Sequence, residues 1–160
     1  MHIAHISTKK ELDLLEIKNL KDKLITAETC PQYLYFNCDD YDSLGARIKC
    51  NPSIKTPLDQ KALLSELIDG KIDTIATDHA PHLLKEKEGD CLKAVSGMPM
   101  IQFSLLAMLQ LTKTTNLTIE NVVEKMCHNP AILFNIKNRG FVQKGYIADL
   151  VLIDPNKKTS

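Results

Sequence analysis

The chain has 160 residues, of which 20 are basic and 20 are acidic, so its formal net charge at pH 7 is zero. This balance argues against nucleic acid or an anionic membrane as a partner and favours a small ligand or one locally bound anion. No apolar run reaches the roughly 20 residues of a membrane span and no signal-like segment opens the chain, so we predict a cytoplasmic protein.

The first predicted unit is a short strand over residues 1–7 that carries His5 to its end. A capping box at Thr8 and Glu11 then starts a helix whose apolar stripe is formed by leucines and an isoleucine over residues 12–17. The strand begins almost at the first residue. This position suggests that a preceding part of the fold is missing.

Two further strands follow, over residues 24–30 and 72–77. The segment after the first of them, up to residue 45, is rich in tyrosine and aspartate and is predicted to be a loop with one short helical turn. Thr56 and Pro57 are an N-cap and a first helical residue, and the helix they begin is predicted to end at Gly70.

The repeated strand and helix units predict a parallel α/β sheet with polar side chains at its carboxyl edge, among them His5, Glu28 and Asp78. Three strands are too few for a closed (β/α) barrel, which needs eight strands and about 250 residues. The chain is therefore either a small open α/β domain or the last part of a barrel.

The residues that end the third strand, Asp78-His79-Ala80-Pro81-His82, have two interpretations. An Asp there can bind a metal or move a proton, and the two histidines can bind a metal or hold an anion. Alternatively this is an ordinary strand end, with Asp78 capping the next turn and both histidines exposed. The local pattern alone does not choose between them.

The second half of the chain is predicted to be helical and then β. Residues 82–97 form a polar loop whose charges are solvated, although such a loop can act as a lid. An apolar helix over residues 100–111 uses its methionines as core residues. A second helix starts at Ile119 and is broken at His128-Asn129-Pro130, and residues 140–154 contain two short β segments that suggest a separate β layer.

With these residues in hand, the chain resembles the C-terminal half of the dihydroorotases, a family of the amidohydrolase superfamily of metal-dependent hydrolases. Six segments match in the family's order and cover nearly the whole chain. They are residues 2–8 (HIAHIST), 26–31 (TAETCP), 49–52 (KCNP), 76–82 (ATDHAPH), 96–99 (SGMP) and 140–154.

The resemblance implies a TIM-like (β/α)8 amidohydrolase barrel of which this chain supplies strands six to eight. The corresponding divisions are a partial barrel over residues 1–139, a β-sandwich return segment over 140–154 and a polar tail over 155–160. The expected activity is the reversible, zinc-dependent hydrolysis of the cyclic amide of dihydroorotate to N-carbamoyl-aspartate in pyrimidine biosynthesis.

The resemblance also implies roles for particular residues. His5 matches a metal-binding His, and Asp78 matches an Asp that contacts a metal and shuttles the proton. Asn51 and His82 match positions that hold the substrate carboxylate, and the turn at Gly97 matches a loop whose backbone contacts the substrate ring. The chemistry is coherent, because zinc makes a nucleophilic water available near neutral pH and a carboxylate can take up its proton.

The family's other ligands to its two zinc ions lie upstream of anything in this sequence, and two ligands do not complete a tight zinc site. We therefore expect no turnover by this chain alone and a need for the N-terminal half or for oligomerisation. Residues 30–33 (CPQY) also resemble hydantoinases and dihydropyrimidinases. Two alternatives thus stay open: a hydantoinase-type cyclic amidohydrolase and a non-catalytic amidohydrolase-like subunit.

Overall fold

Three short parallel strands lie side by side in the structure, a computed structural model that describes residues 1–157. The strands are β1 (His2–Ile3), β2 (Thr26–Thr29) and β3 (Thr74–Ile75), and they lie in the order β1-β2-β3. In the register, His2 pairs with Thr26 and Glu28 pairs with Thr74. The predicted α/β class and the parallel pairing of consecutive strands are confirmed.

The strands are shorter than predicted. β1 and β3 have two residues each, although the sequence predicted strands over residues 1–7 and 72–77. The chain leaves the extended conformation soon after each of them, because φ is +43° at His5 and +44° at Asp78. These values lie in the left-handed region, which an extended strand does not use.

The helix α3 (Pro57–Asp69) forms where the sequence predicts it. The Thr56 side chain accepts a hydrogen bond from the backbone N–H of Asp59, and the Asp59 carboxylate accepts one from the N–H of Thr56. Gly70 ends the helix with φ +95°, a conformation that glycine adopts without a steric penalty. Both ends of α3 are therefore encoded by local side-chain chemistry.

The helix predicted after Thr8 is instead a 3₁₀ segment over Lys10–Leu14. Glu11 caps this segment, since its carboxylate accepts hydrogen bonds from the backbone N–H groups of Ser7 and Thr8. Leu12 and Leu15, three residues apart, are buried, whereas Leu14 is 76% exposed. Only one side of the segment has a core to pack against, and a spacing of three suits the tighter helix.

Several helices occupy stretches that the sequence described less well. The segment after β2, expected to be mostly loop, contains two short helices and two 3₁₀ turns. The helices other than α3 are α1 (Pro31–Tyr35), α2 (Tyr41–Leu44), α4 (Ser104–Thr114), α5 (Ile119–Val123) and α6 (Asn129–Leu133). The 3₁₀ segments other than Lys10–Leu14 are Leu20–Asp22, Cys38–Asp40, Gly45–Ile48 and Leu84–Lys87.

The break predicted at His128-Asn129-Pro130 does not occur. A π-helical turn over Glu124–His128 connects α5 directly to α6, and Pro130 lies in the first turn of α6. The side chain of Asn129 is buried and donates a hydrogen bond of 2.8 Å to the backbone oxygen of Asp73. The π turn thus brings Asn129 against the amino end of β3.

Helices and connecting segments pack on the sheet through one apolar core. Its most buried large side chains are Leu12, Leu34, Leu63, Leu67, Ile72 and Met108. Met100 and Met108 are both buried, as predicted for the methionine-rich segment, although α4 itself begins at Ser104. The core lies between β-strands and helices that come from both halves of the chain.

The predicted β segments within residues 140–154 do not form strands in this chain. Val151 and Leu152 are 76% and 100% exposed, and within residues 1–157 the segment pairs with no other strand. A β segment needs a neighbour for its backbone hydrogen bonds, and none is supplied here. The division at residue 139 stays a prediction, and residues 158–160 of the predicted tail lie outside the described part.

Candidate active site at the carboxyl edge of the sheet

The carboxyl ends of the parallel strands share one edge, and two of the predicted site residues follow them there. His5 comes two residues after β1, and Asp78 three residues after β3. Both have a left-handed backbone, which costs L-residues about 1–2 kcal/mol. Within residues 1–157 only two other non-glycine residues, both asparagines, have a positive φ. Such strain is typical of functional sites.

The side chains of His5 and Asp78 are not used to hold the fold together. Asp78 is exposed and His5 is partly exposed, and neither makes a side-chain hydrogen bond within residues 1–157. By contrast, the nearby His2 bonds Thr26 and Glu28 at 2.9 and 3.0 Å. The polar groups of His5 and Asp78 are therefore free for a ligand.

Two buried thiols and a phenol lie beneath this edge. Burial, with a smaller contribution from the Asp78 charge, raises the pKa of Cys30, which follows β2. Burial likewise raises the pKa of Cys50 and of Tyr33. These groups are therefore neutral at pH 7, and the Asp78 charge adds a smaller contribution to the raised pKa of both thiols.

Asn51 is exposed on a loop that Tyr33 holds in place. The Tyr33 hydroxyl donates a hydrogen bond of 2.8 Å to the backbone oxygen of Pro52, the residue that follows Asn51. The tyrosine lies in α1, directly after β2. Sequence analysis assigned Tyr33 no role, although it lies in the segment CPQY that carries part of the family resemblance.

The side chain of His82 lies against the turn at Gly97. The Nε2 atom of His82 lies 3.0 Å from the backbone oxygen of Ser96, and since a carbonyl only accepts, Nε2 is the donor. Gly97 has φ +114°, and a Cβ there would lie 2.5 Å from the Cβ of Ala80. Only glycine allows the turn to approach the strand end this closely.

The polar groups of the Gly97 backbone are already engaged within the protein. Its N–H donates to the backbone oxygen of Lys49 at 3.0 Å, and its oxygen accepts from the Lys87 ammonium at 2.7 Å. Gly97 therefore shapes the turn and joins it to the segment of Asn51.

His79, which the sequence left without a ligand role, positions the loop after the site. Its Nδ1 accepts a hydrogen bond of 3.2 Å from the backbone N–H of Ile101. The neighbouring Ala80 N–H donates to the backbone oxygen of Met98 at 3.0 Å. These two bonds fasten the strand end to the segment 98–101.

The loop 82–97 is not a wholly solvated charge cluster, contrary to the prediction. Lys85, Glu86 and Glu88 are exposed, but Lys87 is only 4% exposed. Burial lowers the pKa of Lys87. Its ammonium group donates hydrogen bonds to backbone carbonyls, which offset the cost of its burial. The sequence pattern LLKEKEG did not reveal this interaction.

The described residues, 1–157, do not complete a metal centre. Within residues 1–157 no group of three His, Cys, Asp or Glu side chains is placed to hold a metal ion. His5 and Asp78 together offer one imidazole nitrogen and one carboxylate. This donor chemistry suits zinc, but a tetrahedral site needs at least one further protein ligand.

Comparison with known proteins shows the family to which the chain belongs. The profile of the Amidohydrolase family matches residues 2–160. The dihydroorotase of Acetivibrio thermocellus is 40% identical over 99% of this chain, and that of Halobacterium salinarum is 36% identical over 98% of it. The chain therefore belongs to the amidohydrolase family. It spans 37% and 36%, respectively, of the length of those two relatives.

Solved structures agree at the level of the fold. The L-hydantoinase of Arthrobacter aurescens superimposes with a TM-score of 0.82 at 29% identity, over 92% of this chain and 34% of that protein. The Saccharomyces cerevisiae dihydroorotase, in complex with 5-fluoroorotic acid, has a TM-score of 0.75 at 20% identity, over 85% of this chain and 38% of that one. No helix among the described residues is long and apolar enough to cross a membrane.

Proposed function

We propose that this chain is the C-terminal part of a dihydroorotase, which hydrolyses the cyclic amide of dihydroorotate to N-carbamoyl-aspartate in pyrimidine biosynthesis. The observation that carries the proposal is the pair of unbonded ligand-type side chains, His5 and Asp78, on strained backbone at one sheet edge. The similarity to dihydroorotases along 99% of the chain supports this choice of reaction.

In the whole protein, His5 and Asp78 hold zinc together with ligands from the part that this chain does not span. Zinc supplies Lewis acidity and a water that is nucleophilic near neutral pH. The contribution of this chain to that step is positional, because both residues follow their strands on left-handed backbone and their side chains make no hydrogen bond within residues 1–157. The cytoplasmic location predicted from the sequence stays a prediction.

Asp78 is the proton carrier of the proposed reaction. It is exposed and makes no side-chain hydrogen bond within residues 1–157, so its lone pairs are available to take a proton from water and return it to the ring nitrogen. A carboxylate already committed to the fold, such as Asp73 in its buried ion pair, has no such freedom.

Asn51 and His82 bind the carboxylate of the substrate. The Nε2–H of His82 is committed to the Ser96 oxygen, which leaves Nδ1 as the ring nitrogen available to a ligand. Nδ1 donates a hydrogen bond only when the ring is protonated, so the proposal requires a His82 imidazolium in the complex. Gly97 contributes by bringing its turn against His82 and the Asn51 segment.

The three strands correspond to strands six to eight of an amidohydrolase barrel, and residues 140–154 return to a β-sandwich beside it. Open surfaces support this part of the proposal. Within the described chain β1 and β3 each have one strand neighbour, β2. Large apolar side chains are also exposed, including Leu14, Leu24, Val142, Val151 and Leu152. The N-terminal half, or a further copy, is the partner that would cover them.

Turnover assays test the proposal. The 160-residue chain with added zinc is expected to leave dihydroorotate unchanged. A chimera, in which this chain replaces the matching part of the Acetivibrio thermocellus dihydroorotase, is expected to open the ring. A chimera that folds and binds zinc but leaves dihydroorotate intact would contradict the assignment and favour a non-catalytic subunit. Robust turnover by the 160-residue chain would contradict the incompleteness of the site.

A hydantoinase-type activity is the second candidate, because the superposition on the Arthrobacter aurescens L-hydantoinase is good over 92% of the chain. The two candidates differ in the charge of the substrate. In the chimera, His82→Ala should weaken the use of dihydroorotate much more than that of hydantoin, which has no carboxylate. Equal losses on both substrates would favour the hydantoinase.

A further inference from the structure

Lys87 is the least expected buried residue of the structure. It ends the 3₁₀ segment Leu84–Lys87 in the loop that follows His82, and it is 4% exposed. Its ammonium donates three hydrogen bonds to backbone oxygens, at 2.6 Å to Lys49, 2.9 Å to Val95 and 2.7 Å to Gly97. Three N–H donors thus meet three acceptors, which is the full capacity of a charged lysine.

A buried lysine ammonium normally needs an anion, as Lys23, whose side chain is 2% exposed, illustrates. Lys23 forms an ion pair with Asp73 at 2.7 Å. Lys87 forms no ion pair within residues 1–157. Desolvating a cation without a counter-ion is costly, and the three carbonyl dipoles are its compensation. The fold keeps this arrangement although an apolar residue would fill the space without the desolvation cost.

The three carbonyls belong to the two segments that flank the candidate site. Lys49 lies two residues before Asn51, and Gly97 lies in the turn against His82. The link is reciprocal, because the Lys49 ammonium donates to the backbone oxygens of Cys91 and Ala94 on the loop of Lys87. A hydrogen bond from the Gly97 N–H to the Lys49 oxygen also joins the two segments. We call this set, Lys49, Lys87 and Gly97, the lysine clamp.

We propose that Lys87 is a positioning residue that sets the distance between Asn51 and the turn at His82, and so controls how tightly an anionic substituent of the substrate is held. The assignment of that substituent rests on the proposed function, but the mechanical role of the clamp does not. Without Lys87 the backbone bond from Gly97 to Lys49 and the bonds from the Lys49 ammonium remain, but the bond from the Lys87 ammonium to the Lys49 oxygen is lost and the two segments separate more easily.

Amide hydrogen exchange on the 160-residue chain tests the mechanical role. Lys87→Met keeps the length of the side chain and removes all three donors, and Lys85→Met, in the same 3₁₀ segment but exposed, is the matched control. We expect the Gly97 amide to exchange at least about tenfold faster in Lys87→Met, while the Ala27 amide, bonded to Asp73, keeps its protection. Unchanged exchange at Gly97 would overturn the proposal.

Kinetics in the chimera test the consequence for binding. Lys87→Met should raise the KM for dihydroorotate about tenfold or more, with a much smaller change in kcat and in the KM for hydantoin. Equal effects on both substrates, or an effect no larger than that of Lys85→Met, would overturn the control of anion binding. If Lys87→Met does not fold, Lys87→Gln, which keeps two N–H donors, is held to the same criterion.

The two experiments separate the two proposals. An unmutated chimera without dihydroorotase activity would contradict the proposed function, while hydrogen exchange would still decide whether Lys87 holds the clamp. An active chimera in which Lys87→Met behaves like Lys85→Met would leave the proposed function standing and remove the positioning role.

Discussion

The two ends of the sheet handle their charged groups in opposite ways. At the amino end, the side chains of Lys23 and Asp73 are 2% and 5% exposed, and every polar side-chain atom of the pair is bonded, to its partner or to the backbone. At the carboxyl end, His5 and Asp78 lie on strained backbone and make no side-chain hydrogen bonds within residues 1–157. In barrel folds the first end serves stability and the second carries the chemistry.

The two ends differ in whether unfavourable contributions to the folding free energy are offset by hydrogen bonds. The amino end offsets the desolvation of a buried ion pair with hydrogen bonds, including one from the Ala27 N–H to Asp73 at 2.9 Å. The carboxyl end holds His5 and Asp78 in conformations that each cost about 1–2 kcal/mol, and the side chains of these two residues make no compensating hydrogen bond within residues 1–157. Substitutions at the two ends should therefore separate stability from activity.

The largest effect is expected for Asp78→Asn in the chimera. Loss of a proton carrier should lower kcat about 10²–10⁴-fold, whereas the free energy of unfolding should change by less than about 0.5 kcal/mol. Turnover assays and urea denaturation measure the two quantities. Asp42→Asn removes an exposed carboxylate that has no proposed role and should leave both unchanged. A large fall in the free energy of unfolding together with the loss of activity would contradict the contrast between the two ends.

The opposite pattern is expected for Asp73→Asn. Asparagine has the same shape but leaves the Lys23 ammonium buried and unpaired, so the free energy of unfolding should fall by about 3–5 kcal/mol. Urea denaturation of the 160-residue chain measures this change. Glu66→Gln breaks the Glu66–Lys71 pair, whose side chains are 25% and 22% exposed, and should cost less than about 1 kcal/mol. Similar losses for both variants would contradict the special role of the amino end.

A smaller effect is expected for Gly97→Ala at the carboxyl end. The new Cβ would lie 2.5 Å from that of Ala80, and overpacking of this kind costs about 1–3 kcal/mol. Gly45→Ala is the control, because Gly45 also has a positive φ, +54°, but no atom within 4 Å of the added Cβ. The difference in denaturation midpoint between these variants isolates the close approach. Equal midpoints would show that the turn can move away.

A further effect is a pH dependence of stability that arises from the buried thiols. Burial raises the pKa of Cys30 and Cys50, so the folded chain keeps their protons while the unfolded chain releases them above about pH 8.5. The unfolded state then binds fewer protons, and stability falls as pH rises, by up to about 1.4 kcal/mol per pH unit for each thiol.

Urea denaturation between pH 7.5 and roughly pH 10 measures this slope, a range set by the ordinary thiol pKa. Cys30→Ala should make the decline shallower, and Cys91→Ser, at an exposed thiol, should leave it unchanged. A decline that is as steep in Cys30→Ala as in the unmodified chain would contradict the assignment to this thiol.

The sequence predicted the features that depend on neighbouring residues. Thr56, Pro57 and Gly70 set the ends of α3, and consecutive strands pair in parallel as the repeated units indicate. Because parallel strands end at a common edge, the sequence also predicted where His5 and Asp78 lie. Their roles as ligands stay predictions that the activity assays will test.

What the sequence missed depends on partners that are distant along the chain. The Leu-rich segment after Thr8 has a helical pattern, but only one of its sides meets the core, and it becomes a 3₁₀ segment. The β pattern of residues 140–154 finds no strand to pair with in the described chain. A pattern states what a segment can form, and packing decides whether it does so.

Two lysines show the same division between sequence and tertiary structure. Lys23 and Lys87 look like ordinary polar residues in the sequence, yet both side chains are buried. Lys23 bonds Asp73, 50 residues away, and Lys87 bonds the backbone oxygen of Lys49, 38 residues away. The sequence by itself determined the family, the α/β class and the placement of His5 and Asp78, since these follow from local patterns. Only the tertiary structure decided which charges are buried, because burial depends on the whole set of segments packed around a group.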